Sequence, residues 1–232
     1  MDINTVYNFI KFLADKDQQG NFTPKQFNET IYRALNEWVM KRYNNLNLPQ
    51  PNQIGWQKNQ KITDDLRFLL VRNKVSNVSP DGTLDLPDDY LHLSSIVYNY
   101  KYSDNGTTVV EPKDVDIVDD NEIASFRGSA IYGKRIKAKK YVIAAFYSSY
   151  LQFYPENINV VDLTYLRKPI APLWAYTLEN GRPVYDPVNS VALEAPDECV
   201  NEICMMCASY LSINLRDQEF TQYVEMQKQQ GV

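Results

Sequence analysis

Four groups of residues in this chain have types or spacings that could do chemistry. Gly128-Ser-Ala-Ile-Tyr-Gly133-Lys134-Arg135 satisfies G-x-x-x-x-G-K, the spacing with which a phosphate-binding loop aims backbone amides and a lysine at a nucleotide. Such a loop also needs a strand before it, a helix after it and Ser or Thr next to the lysine to hold magnesium. Arg135 stands in that last place, and β-branched and aromatic residues follow, so the motif reads as a turn between strands. Cys204-Met-Met-Cys207 has C-x-x-C spacing, but a closed zinc site takes four ligands and a redox pair opens a helix after a strand. Only Cys199 and His92 remain to complete a metal set. On an apolar helical stripe the two thiols read as core packing. His92, the single histidine, has no G-x-S-x-G partner motif and reads as structural. The pairs Asp88-Asp89 and Asp119-Asp120 imitate a glycosidase or metal site. Adjacent carboxylates on a strand point to opposite faces, however, and in turns they cap or solvate. No catalytic, metal or cofactor set emerges. The expectation is a protein that is not an enzyme and uses no cofactor.

The elements that carry these residues can be read from periodicity and punctuation. Val6, Phe9, Ile10 and Leu13 share one helical face, and Gly20 marks the end of that helix. The next start is better signed. Thr23 can cap, Pro24 suits the first helical position, and Gln26 stands where a capping box wants Glu or Gln. Phe22 and Phe27 have the spacing of a hydrophobic staple. A stripe of Phe27, Ile31, Ala34, Leu35, Trp38 and Val39 predicts a helix over 24–43. Residues 44–60 form a polar, proline-punctuated connector, and Thr63 can cap a short helix carrying Leu66, Leu69 and Leu70. Turn signals at Pro80-Asp81-Gly82, Asp104-Asn105-Gly106 and Asn180-Gly181 then separate short β-type runs. Strands are predicted at 83–86, 93–102, 107–110, 130–134, 141–147, 150–153 and 159–166. A last helix starts at Pro196 with Asp197 and Glu198 in its first turn. It carries Val200, Ile203, Cys204, Cys207, Ala208 and Leu211 on one face, with a break at Ile213-Asn214. Asp217 can cap a further helix bearing Phe220, Tyr223 and Val224. The predicted class is α+β: an N-terminal helical region (1–72), an antiparallel β barrel or sandwich (73–192), and C-terminal helices (193–232) that pack with the N-terminal ones.

Composition narrows the function. The chain has 232 residues and a net charge of −5, which argues against gripping a phosphate backbone as its main task. Its 17 tyrosines suit half-buried surfaces such as interfaces, or the cover of a β core. The one dense basic run, 134–140 (KRIKAKK), follows an acidic stretch at 114–122 (DVDIVDDNE). These read as two solvated faces, a nucleic-acid patch, or a contact between neighbouring copies. No apolar run reaches the roughly 18–20 residues that cross a bilayer, and MDINTVYNF carries no basic, then apolar, leader. Three cysteines within 199–207 make no disulfide framework. A soluble chain from a reducing compartment, without a membrane partner, is expected.

Three stretches resemble a known group of proteins. Leu86-Pro87-Asp88-Asp89-Tyr90-Leu91 followed by Ser95-Ile96-Val97-Tyr98 resembles the segment that leads into the β domain of bacteriophage head–tail connector proteins. Residues 161–169 (VDLTYLRKP) look like a later strand of the same proteins. Leu193-Glu194-Ala195-Pro196 and the helix after it, to Arg216, are similar to their C-terminal segment. Within that group the likeness is to ring proteins of the portal-vertex tail of crAss-like phages. The resemblance implies a non-enzymatic virion component, assembled in the host cytoplasm as a homo-oligomeric ring, often of twelve copies. Its partners would be the portal protein and adjacent tail rings, with viral DNA passing through without specific binding. An acidic lumen would let a polyanion slide.

Residues 160–174 (VVDLTYLRKPIAPLW) alternate as a half-buried strand with Val161, Leu163 and Tyr165 on one face. Pro169 and Pro172 then stop the pairing. Arg167, Lys168 and Trp174 on the stiff exit read as a preorganised contact surface, or else Trp174 folds back onto its own domain. In a ring each copy uses two different faces, so Asp116, Asp119 and Asp120 of one copy could meet Lys134, Arg135 and Lys137 of the next. The alternatives are another virion role, such as a minor capsid or tail-tip protein, and a carbohydrate-binding β domain. The last would need an exposed aromatic platform, for which Trp56 and Trp174 are the free tryptophans.

Overall fold

A computed structural model of the chain describes residues 2–15, 22–46 and 64–215. Gly20, most of the 44–60 connector with Trp56, Thr63 and the Asp217 helix lie outside the described residues. The chain divides into two compact units, one formed by Leu69–Lys168 and the other by the segments before and after it.

In the second of these units, helix α1 (Ile3–Asp15) buries Ile3, Val6, Tyr7 and Ile10. Helix α2 (Pro24–Leu46) follows its signals closely. Thr23 N donates to Gln26 Oε1 at 2.8 Å and Gln26 N donates to Thr23 Oγ1 at 3.3 Å, a closed capping box. Phe22 and Phe27 stack 6.3 Å apart as the staple. Every residue of the predicted stripe, Phe27 through Val39, is buried. After a 3-10 turn at Asp197–Cys199, helix α5 (Val200–Leu215) packs against α1 and α2 with Val200, Ile203, Cys204, Cys207, Ala208 and Leu211 inside. It runs through Ile213-Asn214 without the expected break. A partly buried ion cluster ties this bundle. Glu202 accepts from Trp38 Nε1, Lys41 and Arg42 at 3.2, 3.1 and 2.6 Å, and Arg42 also meets Asp65 at 3.3 Å.

The Leu69–Lys168 unit is a sandwich of two four-stranded sheets, not a closed barrel. One sheet has the order β1 (Leu70–Asn77), β8 (Val160–Arg167), β3 (Tyr90–Asp104), β4 (Thr107–Asp114), all antiparallel. The other has the order β2 (Thr83–Asp85), β7 (Tyr150–Tyr154), β6 (Ile143–Phe146), β5 (Asp116–Ile117), antiparallel except for the β5–β6 pair. Ile96, Val161, Leu163 and Tyr165 from the first sheet and Leu84, Ala144, Leu151 and Phe153 from the second share one core. The far side of β6 carries Ile143 and Ala145, which pack under two short helices, α3 (Asp120–Gly128) and α4 (Tyr132–Lys137), through Ile123 and Ile136. Strand β6 is therefore covered on both faces over Ile143, Ala144 and Ala145, which is why these residues are apolar rather than alternating, while Phe146 at its end is exposed.

Three expectations need correction. Leu70 begins strand β1 rather than completing a helix: residues 64–66 are helical, Arg67–Leu69 form a 3-10 turn, and pairing with β8 takes over. The predicted strand at 130–134 is helical instead. Ser129 Oγ accepts from Ile131 N and Tyr132 N at 3.4 and 3.3 Å, and Gly133 N returns to Ser129 O at 2.9 Å, which starts a helical turn. The β unit ends at Lys168 instead of 192. The remaining 169–192 stretch holds a separate hairpin, β9 (Tyr176–Glu179) and β10 (Arg182–Tyr185), which groups with the helices.

Candidate functional site

Tyr165 lies at the centre of the β unit. It is buried on β8 and donates its hydroxyl to Asp89 Oδ1 at 2.9 Å. Lys74 Nζ reaches the same hydroxyl at 3.3 Å and sits 5.6 Å from the ring centroid. Asp89 is held twice, because its carbonyl accepts from Lys168 N at 2.7 Å. Strand pairing of Tyr90 with Arg167 continues the contact. The LPDDYL and VDLTYLRKP stretches, far apart in sequence, are therefore one joint. Burial pushes the Tyr165 phenol above its ordinary pKa, with the Asp89 hydrogen bond adding to it.

Trp174 is not an exposed anchor. It is 3% exposed and stacks on Tyr7 at 4.1 Å with planes 14° apart. Its backbone N donates to Asn28 Oδ1 at 2.8 Å, its carbonyl accepts from Asn28 Nδ2 at 3.1 Å, and its indole N–H donates to Asn4 Oδ1 at 3.1 Å. Tyr176 and Tyr185 flank it at 5.9 and 5.7 Å. The stack pins the base of the β9–β10 hairpin onto the helices. Of the loop residues expected at a contact surface, Lys168 is exposed and Arg167 is half-buried, donating to the Lys168 carbonyl at 3.1 Å.

The acidic and basic runs come together at the helical face of the second sheet. Asp119 stands at the N-cap position of α3 in extended conformation without a side-chain capping bond, and Asp120 and Glu122 stand in the first turn. Asp120 accepts from Tyr147 at 2.5 Å, and Asp116 accepts from Tyr141 at 2.6 Å. Arg135 lies 6.0 Å from the Tyr141 centroid. Burial, then the Asp116 bond, pushes the Tyr141 phenol up to about 12, and the Asp120 bond does the same for Tyr147. Asp116 and Asp120 are thus engaged inside the chain, whereas Asp119, Glu122, Lys134 and Lys137 are exposed.

Gly128 and Gly133 do not form a phosphate loop. Gly128 ends α3, and Gly133 sits where α4 crosses that end so closely that a Cβ would run into the Arg127 carbonyl oxygen. The glycine is required by helix approach, a reason the motif spacing did not suggest. Cys204 and Cys207 are buried and burial lifts both thiols to about 12, as core residues require. His92 lies on β3, half-buried, and burial lowers its pKa. Among the described residues no group of three His, Cys, Asp or Glu could hold a metal ion, and no helix is long and apolar enough to cross a membrane.

A groove of about 630 Å³ opens beside the α3–α4 junction, lined by Arg127, Gly133, Lys137, Tyr154 and Glu156 among others. The Arg127 guanidinium lies 4.8 Å from the Tyr154 centroid, which fixes it on the groove wall. Sequence reasoning singled out Lys137 but missed Arg127, because the two are ten positions apart and share a groove only where α4 crosses the end of α3. No protein-family model and no curated protein matches the chain.

Proposed function

We propose that the chain is a non-enzymatic subunit of a bacteriophage head–tail connector, assembling as a ring that extends the portal channel for DNA. One observation carries the reading. Two of the three stretches that resemble connector proteins are bonded to each other through Asp89, Tyr165 and Lys168, so their joint occurrence reflects a single structural need. The α+β order and the acidic balance are in keeping with it. An acidic wall repels a polyanion and so permits passage without capture. The carbohydrate-binding alternative loses Trp174, one of its two free tryptophans, because that indole is buried. The test is particle mass for the purified chain, alone and mixed with the portal protein of a short-tailed phage. A ring on the portal supports the reading. A chain that ignores the portal and binds immobilised glycans overturns it.

A further inference from the structure

Helix α3 carries opposite charges at its two ends, and a groove opens beside its C-terminal end. At the N-terminal end stand the exposed carboxylates of Asp119 and Glu122. At the other end, about 12 Å away by helical rise, Arg127 faces the groove together with Lys137 from α4. This distribution complements the helix dipole at both ends. The dipole does not account for a groove lined by both cations, with the Arg127 guanidinium 4.8 Å from the Tyr154 centroid. Glu156 contributes the one carboxylate of the lining, so the groove keeps a net positive charge. A third cation nearby, Lys139, is already committed to the Asn157 carbonyl at 2.6 Å.

We infer that this groove seats the acidic 119–122 turn of a second copy of the chain. Asp119 and Glu122 of one copy face Arg127 and Lys137 of the next. Because turn and groove are different surfaces of one subunit, the contact is head-to-tail and propagates into a closed ring or an open filament. The inference rests on the reading of the chain as a self-associating ring subunit and supplies the contact that reading lacks.

The test uses the full chain at low salt, with particle mass as the readout and circular dichroism as the check on folding. Two double variants are made: Arg127→Glu with Lys137→Glu, and Asp119→Lys with Glu122→Lys. Each alone sets like charge against like, and its self-association should fall by about 10-fold or more. Mixed in equal amounts, the two variants can alternate with every contact complementary, and assembly should return to within a few-fold of the parent. The rescue also shows that each variant is folded. If both variants assemble like the parent, the contact is wrong while the ring reading stands. If each is deficient and the mixture does not recover, something other than the acidic turn occupies the groove, and the inference falls. A parent chain that stays monomeric even at millimolar concentration overturns the contact. The ring reading is then judged separately, by binding to a portal protein.

Discussion

Strand β3 is one strand in two environments. From Tyr90 to Val97 it pairs with β8 and sends Leu93 and Ile96 toward the shared core. From Tyr98 to Asp104 it pairs only with β4, and Lys101, Tyr102, Ser103 and Asp104 are exposed. The first half is ordered by burial among partners distant in sequence. The second is a two-stranded ribbon held by its own turn, with Asn105 and Gly106 at φ 48° and 80°, and by the Tyr100–Tyr102 stack with Lys113 5.1 Å from the Tyr100 centroid. Such ribbons are marginal in water. Strand character alone therefore does not tell which residues hold the fold; the number of covered faces does.

Substitutions should break the two halves differently. Ile96→Ala removes a 2%-exposed core side chain and should cost about 2–5 kcal/mol, read as a lower urea midpoint. Val110→Ala on the ribbon, half exposed, should stay within about 0.5 kcal/mol. Gly106→Ala forces a side chain into left-handed backbone at the ribbon tip, at about 1–2 kcal/mol. Its effect should be local: amides at 99–104 exchange faster, while those at 161–165 are unchanged. Tyr165→Phe keeps the ring and deletes the hydroxyl shared by Asp89 and Lys74, a loss of about 1 kcal/mol by the same urea measurement.

The smallest effect concerns pH. Tyr141 and Tyr147 have phenols raised to about 12 in the folded chain against an unfolded value of 10. Their contribution to stability is complete below pH 10 and is lost as pH rises toward 12, because the unfolded chain releases those protons first. Ultraviolet titration of phenolate should show both still protonated at pH 11, and Asp120→Asn should bring Tyr147 down.

Much of the fold is legible where the signal is local. Thr23 and Gln26 announce a helix start by themselves, and the stripe from Phe27 to Val39 needs only its own period. Val161, Leu163 and Tyr165 give β8 by alternation. The misses need partners. Strand β1 is broken by a bulge between Val71 and Lys74 with Asn73 at φ 50°, and it shows water Val75, so no clean period survives. Helix α4 depends on the Ser129 turn and on Gly133 meeting Arg127. The burial of Trp174 depends on Tyr7 and Asn28, more than a hundred positions earlier, so an indole on a proline-stiffened loop could only be read as either anchor or core. Of the candidate site, the charges of 114–122 and 134–140 were visible in sequence. The groove beside the α3–α4 junction and its Arg127 were not.

The most direct test of the connector reading is electron microscopy of negatively stained particles, from the chain alone and from the chain mixed with a short-tailed phage portal. A connector subunit should give rings with rotational symmetry, stacked coaxially on the portal in the mixture. Single small particles in both samples, with the portal left bare, would contradict it.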